Sequence, residues 1–399
     1  MIKTTPFHER LDQLNTTKRW GHWSGYLSAL KYQMSPKQEY FAIRNSAGFF
    51  DTSPLYKFRI TGRDSERLLA GVMTRDIRTC RPGRAQYTVW CDDRGFVLED
   101  GVLFRHSATD FLLTAAEPNL GYLSDLVGRL DVTIEDVTDH YGMLAVQGPR
   151  SREILAKVAP GIEGLRYFEH TDTKIGSAAV TVSRTGYTGD LGYEVRVPRD
   201  DAIGVLDAVI EAGQGHGLRP FGEEALLMSR IEAGLVLINV EFSSSRLAYT
   251  DHDRITPKEL GFGWMLKSID DDTRPFIGRQ ALRRELAEKT SRWATVGLVL
   301  DWLDYDRVYN RAGLVPPKDE TPLDYESMLY DDVGERVGYA TSLMYSPVLQ
   351  QHIAMARVRP DLASAGTRVN LELTINHHYE TVAAAVTKLP FFNPPRKTA

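Results

Sequence analysis

Cysteine is scarce in this sequence: Cys80 and Cys91 are the only two among 399 residues. Two cysteines cannot build a disulfide framework, and by themselves they cannot form a cysteine-based zinc cluster. We therefore expect both to be reduced thiols that pack in the interior. The ten histidines are scattered along the chain, so we expect no metal site.

Long hydrophobic runs are also missing. Apolar residues make up 42% of the chain and charged residues 25%, and no run approaches the roughly 18 apolar residues that a membrane span needs. The first 20 residues carry charges of both signs, including Glu9 and Asp12, and lack the apolar stretch of a secretory signal. The expectation is a cytoplasmic protein that does not enter a membrane.

Neither sign of charge dominates. The formal net charge is -5, with acidic and basic residues mixed along the whole chain. A nucleic-acid-binding surface normally shows as a concentration of basic residues. We therefore expect a small-molecule partner and no nucleic acid.

Several motifs of common enzyme classes are absent from the sequence. It contains no Walker phosphate loop, no G-x-G-x-x-G after a strand, no H-E-x-x-H and no G-x-S-x-G. These absences argue against nucleotide hydrolysis, a bound flavin, zinc proteolysis and serine hydrolysis.

The length of the chain favours two or three packed units. Near residue 290 the pattern changes to a series of short strand-like segments, which predicts a small antiparallel barrel or sandwich. We therefore predict one region over residues 1–290 and a second over 291–399. The predicted strands of the second region are Ala294–Leu300, Glu335–Thr341, His352–Val358, Arg368–Thr374 and Thr381–Thr387.

A strand, loop, strand unit is predicted in the first region. Ala178–Ser183 and Tyr193–Val197 alternate as strands, and the segment between them holds three glycines. On the second strand the tyrosine and the valines share one face, so Glu194 faces away from the apolar side. Farther along, Glu223–Leu235 has helical spacing and carries Arg230.

The glycine-rich loop and four other segments carry a resemblance to a known family. Residues 184–194 read R-T-G-Y-T-G-D-L-G-Y-E, residues 145–149 read A-V-Q-G-P, and residues 230–235 read R-I-E-A-G-L. These segments resemble the R-T-G-Y-T-G-E-x-G-x-E, A-x-Q-G-P and R-L-E-A-G-L elements of the glycine-cleavage T-protein (aminomethyltransferase) family. The F-I-G-R segment at 276–279 and the S-P segment at 346–347 follow in family order.

The resemblance implies an architecture and a cofactor. The family has an α+β, three-lobed folate-binding fold with a C-terminal small antiparallel β-barrel, and folate binds in a central hole. On this basis residues 1–290 would hold two interleaved α+β lobes, residues 291–399 would form the barrel, and the expected cofactor is tetrahydrofolate.

The resemblance also implies roles for two residues of the glycine-rich loop unit. Glu194 matches the family's glutamate, which accepts the adjacent N–H donors of the pterin in a planar, charge-assisted pair. A solvated strand carboxylate is the structural alternative. Tyr187 would pack its ring against the pterin or the p-aminobenzoyl group, or close the loop in a structural role.

Asp100 is the predicted catalytic residue. It lies in G-F-V-L-E-D at 95–100, which resembles the family's G-G-I-x-D-D segment, whose second aspartate lies near the reacting nitrogen of folate. A carboxylate there can orient that nitrogen, relay its proton and stabilise cationic character during transfer. The alternative is an acidic turn. This chain departs from the family at Glu99, where an aspartate is usual, and at Gly101, where leucine is usual.

Two further features leave alternatives open. Arg230 would hold a carboxylate of folate or of a substrate, or pair with Glu223 or Glu232 nearby. Trp20, Trp23 and Tyr26 would line a donor pocket or pack in the core.

Three functions are compatible with the resemblance. In the first, the protein takes an aminomethyl group from a lipoylated carrier protein and forms methylene-tetrahydrofolate with release of ammonia. In the second, it removes a methyl group from a small amine, sulfonium or ether donor and forms 5-methyl-tetrahydrofolate. In the third, it binds folate without catalysis; relatives of that kind carry a K-G-C-Y-x-G-Q-E element, and this loop has no cysteine.

Overall fold

The computed structural model describes residues 2–251, 253–317, 322–323 and 325–399. Its α-helices in chain order are α1 (His8–Leu14), α2 (Pro36–Asn45), α3 (Ser65–Val72), α4 (Leu120–Asp125), α5 (Ser151–Ala156), α6 (Ala202–Ala212), α7 (Glu223–Glu232), α8 (Arg279–Glu288) and α9 (Trp302–Arg311).

The strands alternate with these helices in the first two thirds of the chain and dominate the last third. They are β1 (Arg19–Trp23), β2 (Tyr26–Lys31), β3 (Ala47–Asp51), β4 (Tyr56–Thr61), β5 (Arg84–Cys91), β6 (Val97–Arg105), β7 (Asp110–Ala115), β8 (Thr133–Asp136), β9 (Tyr141–Gln147), β10 (His170–Ile175), β11 (Ala178–Ser183), β12 (Gly192–Pro198), β13 (Leu218–Pro220), β14 (Ala294–Leu300), β15 (Ser327–Tyr330), β16 (Arg336–Ser346), β17 (Gln351–Val358), β18 (Arg368–Ile375) and β19 (His378–Thr387).

The strands form four sheets. A hairpin joins β1 to β2, a six-stranded sheet has the order β10-β11-β12-β9-β3-β13, and a five-stranded sheet has the order β5-β6-β7-β4-β8. The last six strands close a barrel in the order β14-β17-β16-β15-β18-β19, with antiparallel pairing throughout. The mixed fold and the C-terminal antiparallel barrel are therefore confirmed.

The predicted strands of the barrel are all present, but the sequence analysis missed two elements. The first is β15, which has only four residues and is held by pairing with β16 and β18. The second is α9, which begins after Asp301, whose side chain accepts from the backbone N–H groups of Leu303 and Asp304. That N-terminal aspartate cap is a helix signal in the sequence.

The helix predicted over Glu223–Leu235 ends earlier than expected, at Glu232. Gly234 has a φ of +62°, which turns the chain out of the helical path. A β-carbon at this position would lie 3.0 Å from the Leu389 side chain. The glycine therefore ends the helix and allows the C-terminal segment to pack closely against it.

Both cysteines are buried, and neither forms a disulfide. Burial raises the pKa of the Cys80 thiol to about 11 and that of the Cys91 thiol to about 12. Thiols with such raised pKa values carry almost no thiolate near neutral pH and are therefore inert.

Two kinds of feature are absent from the residues that the structure describes. No helix among them is long and apolar enough to cross a membrane. The same residues contain no group of three or more His, Cys, Asp or Glu side chains placed to hold a metal ion.

Candidate functional site

The site is built between the five-stranded and the six-stranded sheets. A small cavity there is lined by Phe104, Leu112 and Thr114 from the first sheet and by Met143, Thr181, Ser183, Glu194 and Arg196 from the second. Side chains alternate along a strand, so Asp100 shares the face of β6 that carries Phe104. Asp100 and Glu194, predicted from separate motifs, thus lie on β6 and β12, strands of the two sheets that line this cavity, and Glu194 is part of its lining.

Asp100 is held by a tyrosine on the neighbouring strand. The Tyr87 hydroxyl donates to Asp100 Oδ2 over 2.8 Å, because Tyr87 on β5 pairs with Val102 and so lies diagonally across from Asp100 on the same face. Burial raises the pKa of Asp100 to about 6, although the Tyr87 hydroxyl lowers it. A half-buried carboxyl with this pKa exchanges a proton near neutral pH.

Aromatic rings surround this pair. Phe262 packs edge-on against Tyr87, with the ring centroids 5.4 Å apart. Tyr187 lies close enough to Asp100 for the charge of the carboxylate to help raise the pKa of the phenol, after burial and Glu241. The Tyr187 hydroxyl donates to the carbonyl oxygen of Val236. Tyr187 therefore lies near Asp100, with its hydroxyl already engaged.

Glu194 receives one hydrogen bond from its own strand, loop, strand unit. The Thr185 hydroxyl donates to Glu194 Oε2, and the hydroxyls of Thr185 and Ser183 lie 2.7 Å apart. Burial raises the pKa of Glu194, and the Thr185 hydroxyl opposes the shift. As predicted, Glu194 lies opposite the buried Tyr193, on the half-buried face of β12.

Gln147 shapes the glycine-rich loop. Its side-chain amide donates to the carbonyls of Thr185 and Tyr193 and accepts from the Thr188 hydroxyl. A β-carbon at Gly186 or Gly192 would lie within 2.1 Å of the Gln147 amide oxygen. The glutamine of one motif and the glycines of another are thus a single packing unit that places Thr185 beside Glu194.

Glu99 points to the opposite side of β6 from Asp100. It is fully buried, and Oε1 accepts from the backbone N–H groups of Ala116 and Glu117, at 3.0 and 3.2 Å, while Oε2 accepts from Asn119 Nδ2 at 2.8 Å. Burial raises the pKa of Glu99 to about 8, and Asp100 next to it adds to the shift. The longer side chain at this position anchors the loop that follows β7.

The structure speaks against Arg230 as a cofactor ligand. Its guanidinium is 1% exposed and forms an ion pair of 2.6 Å with Glu241. A second nitrogen donates to the Ser342 hydroxyl at 2.9 Å. Among the described residues Arg230 forms no ion pair with Glu223 or Glu232, the two alternative partners, and Glu232 is instead bound by Arg44 at 2.7 Å. Arg230 therefore joins α7 to the barrel.

The three N-terminal aromatic residues do not form one cluster. Trp20 packs against His8 with ring centroids 4.6 Å apart, and Trp23 stacks near Phe50 at 6.1 Å. The Tyr26 hydroxyl donates to Asp139. These contacts favour the packing alternative.

Sequence reasoning missed Tyr87 and Asn119. Tyr87 lies in an alternating strand but in no motif, and only the pairing of β5 with β6 brings it to Asp100. Asn119 lies in the loop after β7, and its side chain donates a hydrogen bond to Glu99, which is 20 residues earlier in the chain. Strand register would have been needed to find either.

Comparisons with known proteins agree with the fold and the motifs. The family model described as GCVT N-terminal domain matches residues 7–268, and the one described as glycine cleavage T-protein C-terminal barrel domain matches residues 310–393. A solved structure of the glycine cleavage system aminomethyltransferase T from Bartonella henselae has a TM-score of 0.82 at 23% identity, covering 98% of this chain and 99% of that one. It shows the same fold.

Two curated relatives are similar over nearly the whole chain. A trimethylamine-oxide aldolase of Ruegeria pomeroyi is 35% identical over 99% of this chain, and this chain spans about half of that relative, 48% of its length. An aminomethyltransferase of Geobacillus kaustophilus is 30% identical, with 98% of this chain and 99% of the relative covered. Together with the family models, these matches show that the chain belongs to the glycine-cleavage T-protein family.

Proposed function

We propose that this chain is a tetrahydrofolate-dependent one-carbon transferase that moves a group from a small donor to nitrogen 5 of the folate. The observation that supports the proposal is that Glu194 lines the cavity between the two sheets, while Asp100 is held by Tyr87 on the sheet across from it, with Tyr187 nearby. Membership of a family with aminomethyltransferases supports the same reaction class.

The residues at the site fit a reduced pterin in their chemistry. Glu194 receives a single side-chain hydrogen bond, from Thr185, which leaves acceptor capacity for the paired N–H donors of a pterin edge. Phe104, Leu112 and Met143 supply apolar wall beside it. Glu194 would hold the pterin ring, and Tyr187 would pack against it.

Asp100 is the proposed catalytic residue. Tetrahydrofolate, when bound, supplies the nucleophilic nitrogen that accepts the one-carbon group. Tyr87 holds the Asp100 carboxylate in one orientation, and the raised pKa of Asp100, about 6, lets it take up a proton at neutral pH. In its ionised form it stabilises positive charge that develops during transfer.

The donor in the first version of the proposal is an aminomethyl group on a lipoylated carrier protein, as implied by the aminomethyltransferase relatives. The transfer breaks the bonds from the methylene carbon to the carrier sulfur and to the amino nitrogen and forms two bonds from that carbon to folate nitrogens. The products are methylene-tetrahydrofolate, ammonia and the carrier's free lipoyl thiol. The two buried cysteines, neither of which forms a disulfide, fit the cytoplasmic location that we propose with it.

A methylated amine is the second candidate donor. The observation that favours it is the 35% identity to a trimethylamine-oxide aldolase across 99% of this chain. Trimethylamine oxide has the atoms of dimethylamine plus formaldehyde, so transfer of its one-carbon unit to tetrahydrofolate would give methylene-tetrahydrofolate, dimethylamine and water. A methyl group taken directly from an amine, sulfonium or ether would give 5-methyl-tetrahydrofolate.

The test is to incubate the purified protein with tetrahydrofolate and each donor and to identify the folate product by mass spectrometry. The donors are an aminomethylated lipoyl carrier, dimethylglycine, trimethylamine oxide, formaldehyde, dimethylsulfoniopropionate and vanillate. Formaldehyde is tested as a separate donor because it is the one-carbon unit of trimethylamine oxide. Asp100→Asn is the active-site variant, and Asp361→Asn, at an exposed position in the barrel region, is the matched control.

Three outcomes separate the functions. Methylene-tetrahydrofolate and ammonia from the carrier establish aminomethyl transfer, and an Asp100-dependent folate product from a methylated donor establishes the second candidate. Tight folate binding with no product from any donor would instead support a non-catalytic folate-binding protein.

A further inference from the structure

A second cleft lies away from Asp100 and Glu194. It has a volume of about 480 Å³, within the range of small-molecule sites. We call it the arginine cleft, because its lining includes the four arginines Arg75, Arg81, Arg84 and Arg166, together with Glu169 and Gln86.

The arginine cleft carries a surplus of positive charge. Glu169 is its acidic residue, and it is shared by Arg84 Nη1 at 2.9 Å and Arg166 Nε at 3.0 Å. Arg75 donates to the carbonyl oxygen of Tyr87 at 3.2 Å and has no carboxylate partner among the described residues. Arg81 is exposed and makes no ion pair with the residues that the structure describes. The chain as a whole is negative, at -5, so this concentration of cations is local.

One buried polar atom in the lining, the amide oxygen of Gln86, has no hydrogen-bond partner within the described structure. Gln86 is 5% exposed. Its amide nitrogen donates to the Thr79 hydroxyl at 3.0 Å. If the amide group is rotated by 180°, its oxygen accepts a hydrogen bond from the Thr79 hydroxyl. Its N–H groups then take the position of the unpartnered oxygen. Gln86 can therefore add a neutral donor to the four guanidinium groups.

We propose that the arginine cleft binds a small polyanion that carries adjacent carboxylate or phosphate groups. Guanidinium groups pair with both kinds of anion through two parallel N–H bonds. A ligand with at least two such groups would engage Arg75 and Arg81, which lack carboxylate partners, while Glu169 holds Arg84 and Arg166 in place.

Two sources of such an anion are compatible with this chemistry. One is the γ-linked glutamyl tail of the folate itself, because Arg75 binds the carbonyl of Tyr87, whose hydroxyl binds Asp100. This source rests on the proposed function. The other is a separate phosphate-bearing small molecule, which does not depend on it.

The experiment measures dissociation constants by calorimetry on the full chain with three probes: 5-formyl-tetrahydrofolate with one glutamate, the same compound with five glutamates, and inorganic tripolyphosphate. Arg81→Glu replaces one unpaired positive charge with a negative charge. Arg81→Lys keeps the positive charge but cannot form the two parallel N–H bonds of a guanidinium group. Arg336→Glu is the matched control, an exposed arginine at the start of a barrel strand.

If the tail occupies the cleft, the wild type binds five glutamates about tenfold more tightly than one, as expected for a charge-assisted contact. Arg81→Glu removes this preference without changing the affinity for one glutamate, Arg81→Lys retains part of it, and Arg336→Glu retains all of it. Tripolyphosphate then competes with the tail and not with the single-glutamate compound.

The remaining outcomes are distinct. Arg81-dependent binding of tripolyphosphate without a preference for the tail supports a separate anion as the occupant. The absence of Arg81-dependent binding for every probe overturns the proposal. If neither folate compound binds, the proposed function fails, and the tripolyphosphate measurement still decides whether the cleft is an anion site.

Discussion

At the scale of single residues, Asp100 and Tyr87 form the unit on which the chemistry of the site depends. Burial moves the pKa of Asp100 upward, and the Tyr87 hydroxyl moves it back down. The two effects leave a carboxyl group with a pKa of about 6, so its ionised fraction changes between acidic and neutral pH.

We expect the rate of transfer to rise with pH through about 6 as Asp100 ionises. Asp100→Asn should lower kcat by about 100-fold or more and remove this rise. Tyr87→Phe should move the rise to higher pH, because the hydroxyl that lowers the pKa of Asp100 is lost. The measurement is kcat/KM against pH. Tyr379→Phe, at an exposed position, is the control, and an unshifted profile in Tyr87→Phe would contradict this view of the pair.

Glu99 gives a second residue-scale prediction, for stability. Its pKa of about 8 lies above the ordinary 4.5, so between these values the folded chain binds more protons than the unfolded chain, and the free energy of unfolding falls as pH rises. Glu99→Gln should make the fall from about pH 5 to about pH 8 shallower in urea denaturation. The same change at the exposed Glu135 should not. Equal slopes for wild type and Glu99→Gln would show that folding does not raise the pKa of Glu99.

At the scale of elements, the position of strand β6 against β7 depends on Gly101. A β-carbon there would lie 2.3 Å from the carbonyl oxygen of Thr114, closer than van der Waals contact permits. The two strands are therefore packed too closely here for a side chain at this position.

Gly101→Ala should therefore push β6 from β7 and shift Asp100. We expect a loss of about 1–3 kcal/mol in the free energy of unfolding, together with a lower kcat because the contact between Asp100 and Tyr87 is disturbed. Gly121→Ala is the matched control: this glycine lies in α4, and a β-carbon on it meets nothing within 4 Å, so alanine should be neutral or slightly stabilising there. The measurements are urea denaturation and kcat. Equal stability of the two variants would contradict the packing argument.

The elements also show how far the sequence can predict this structure. Alternation predicted β11 and β12 closely, because the side chains of each strand alternate between a more buried and a less buried face. Strand β15 was missed because four residues are too few for a periodic signal and its pairing partners are distant in sequence. The same limit hid Tyr87, since the contact with Asp100 depends on register. The roles of Asp100, Glu194 and Tyr187 stay predictions.

At the scale of the whole molecule, buried charges join the N-terminal region to the barrel. Glu232 of α7 binds Arg44 and the Ser346 hydroxyl of the barrel. Arg230, on the same helix, binds Glu241 and Ser342. Sequence analysis considered the nearby Glu223 and Glu232 and did not pair Arg230 with Glu241, which lies 11 residues away beyond the end of the helix, or with Ser342, which is 112 residues away. The division of the chain at residue 290 also stays a prediction.

The junction gives the last prediction. Arg230→Met should lower the free energy of unfolding by about 3 kcal/mol, because it leaves the Glu241 carboxylate buried without its counter-charge. Adding Glu241→Gln should recover part of that loss, since the uncompensated charge is removed while an amide still accepts the Leu237 N–H that Glu241 accepts at 2.8 Å. Urea denaturation measures both changes. Because Arg230 lies in the junction and its guanidinium is already engaged, the affinity of the folded variant for 5-formyl-tetrahydrofolate should equal that of the wild type. A weakened affinity at full folding would return Arg230 to the folate site.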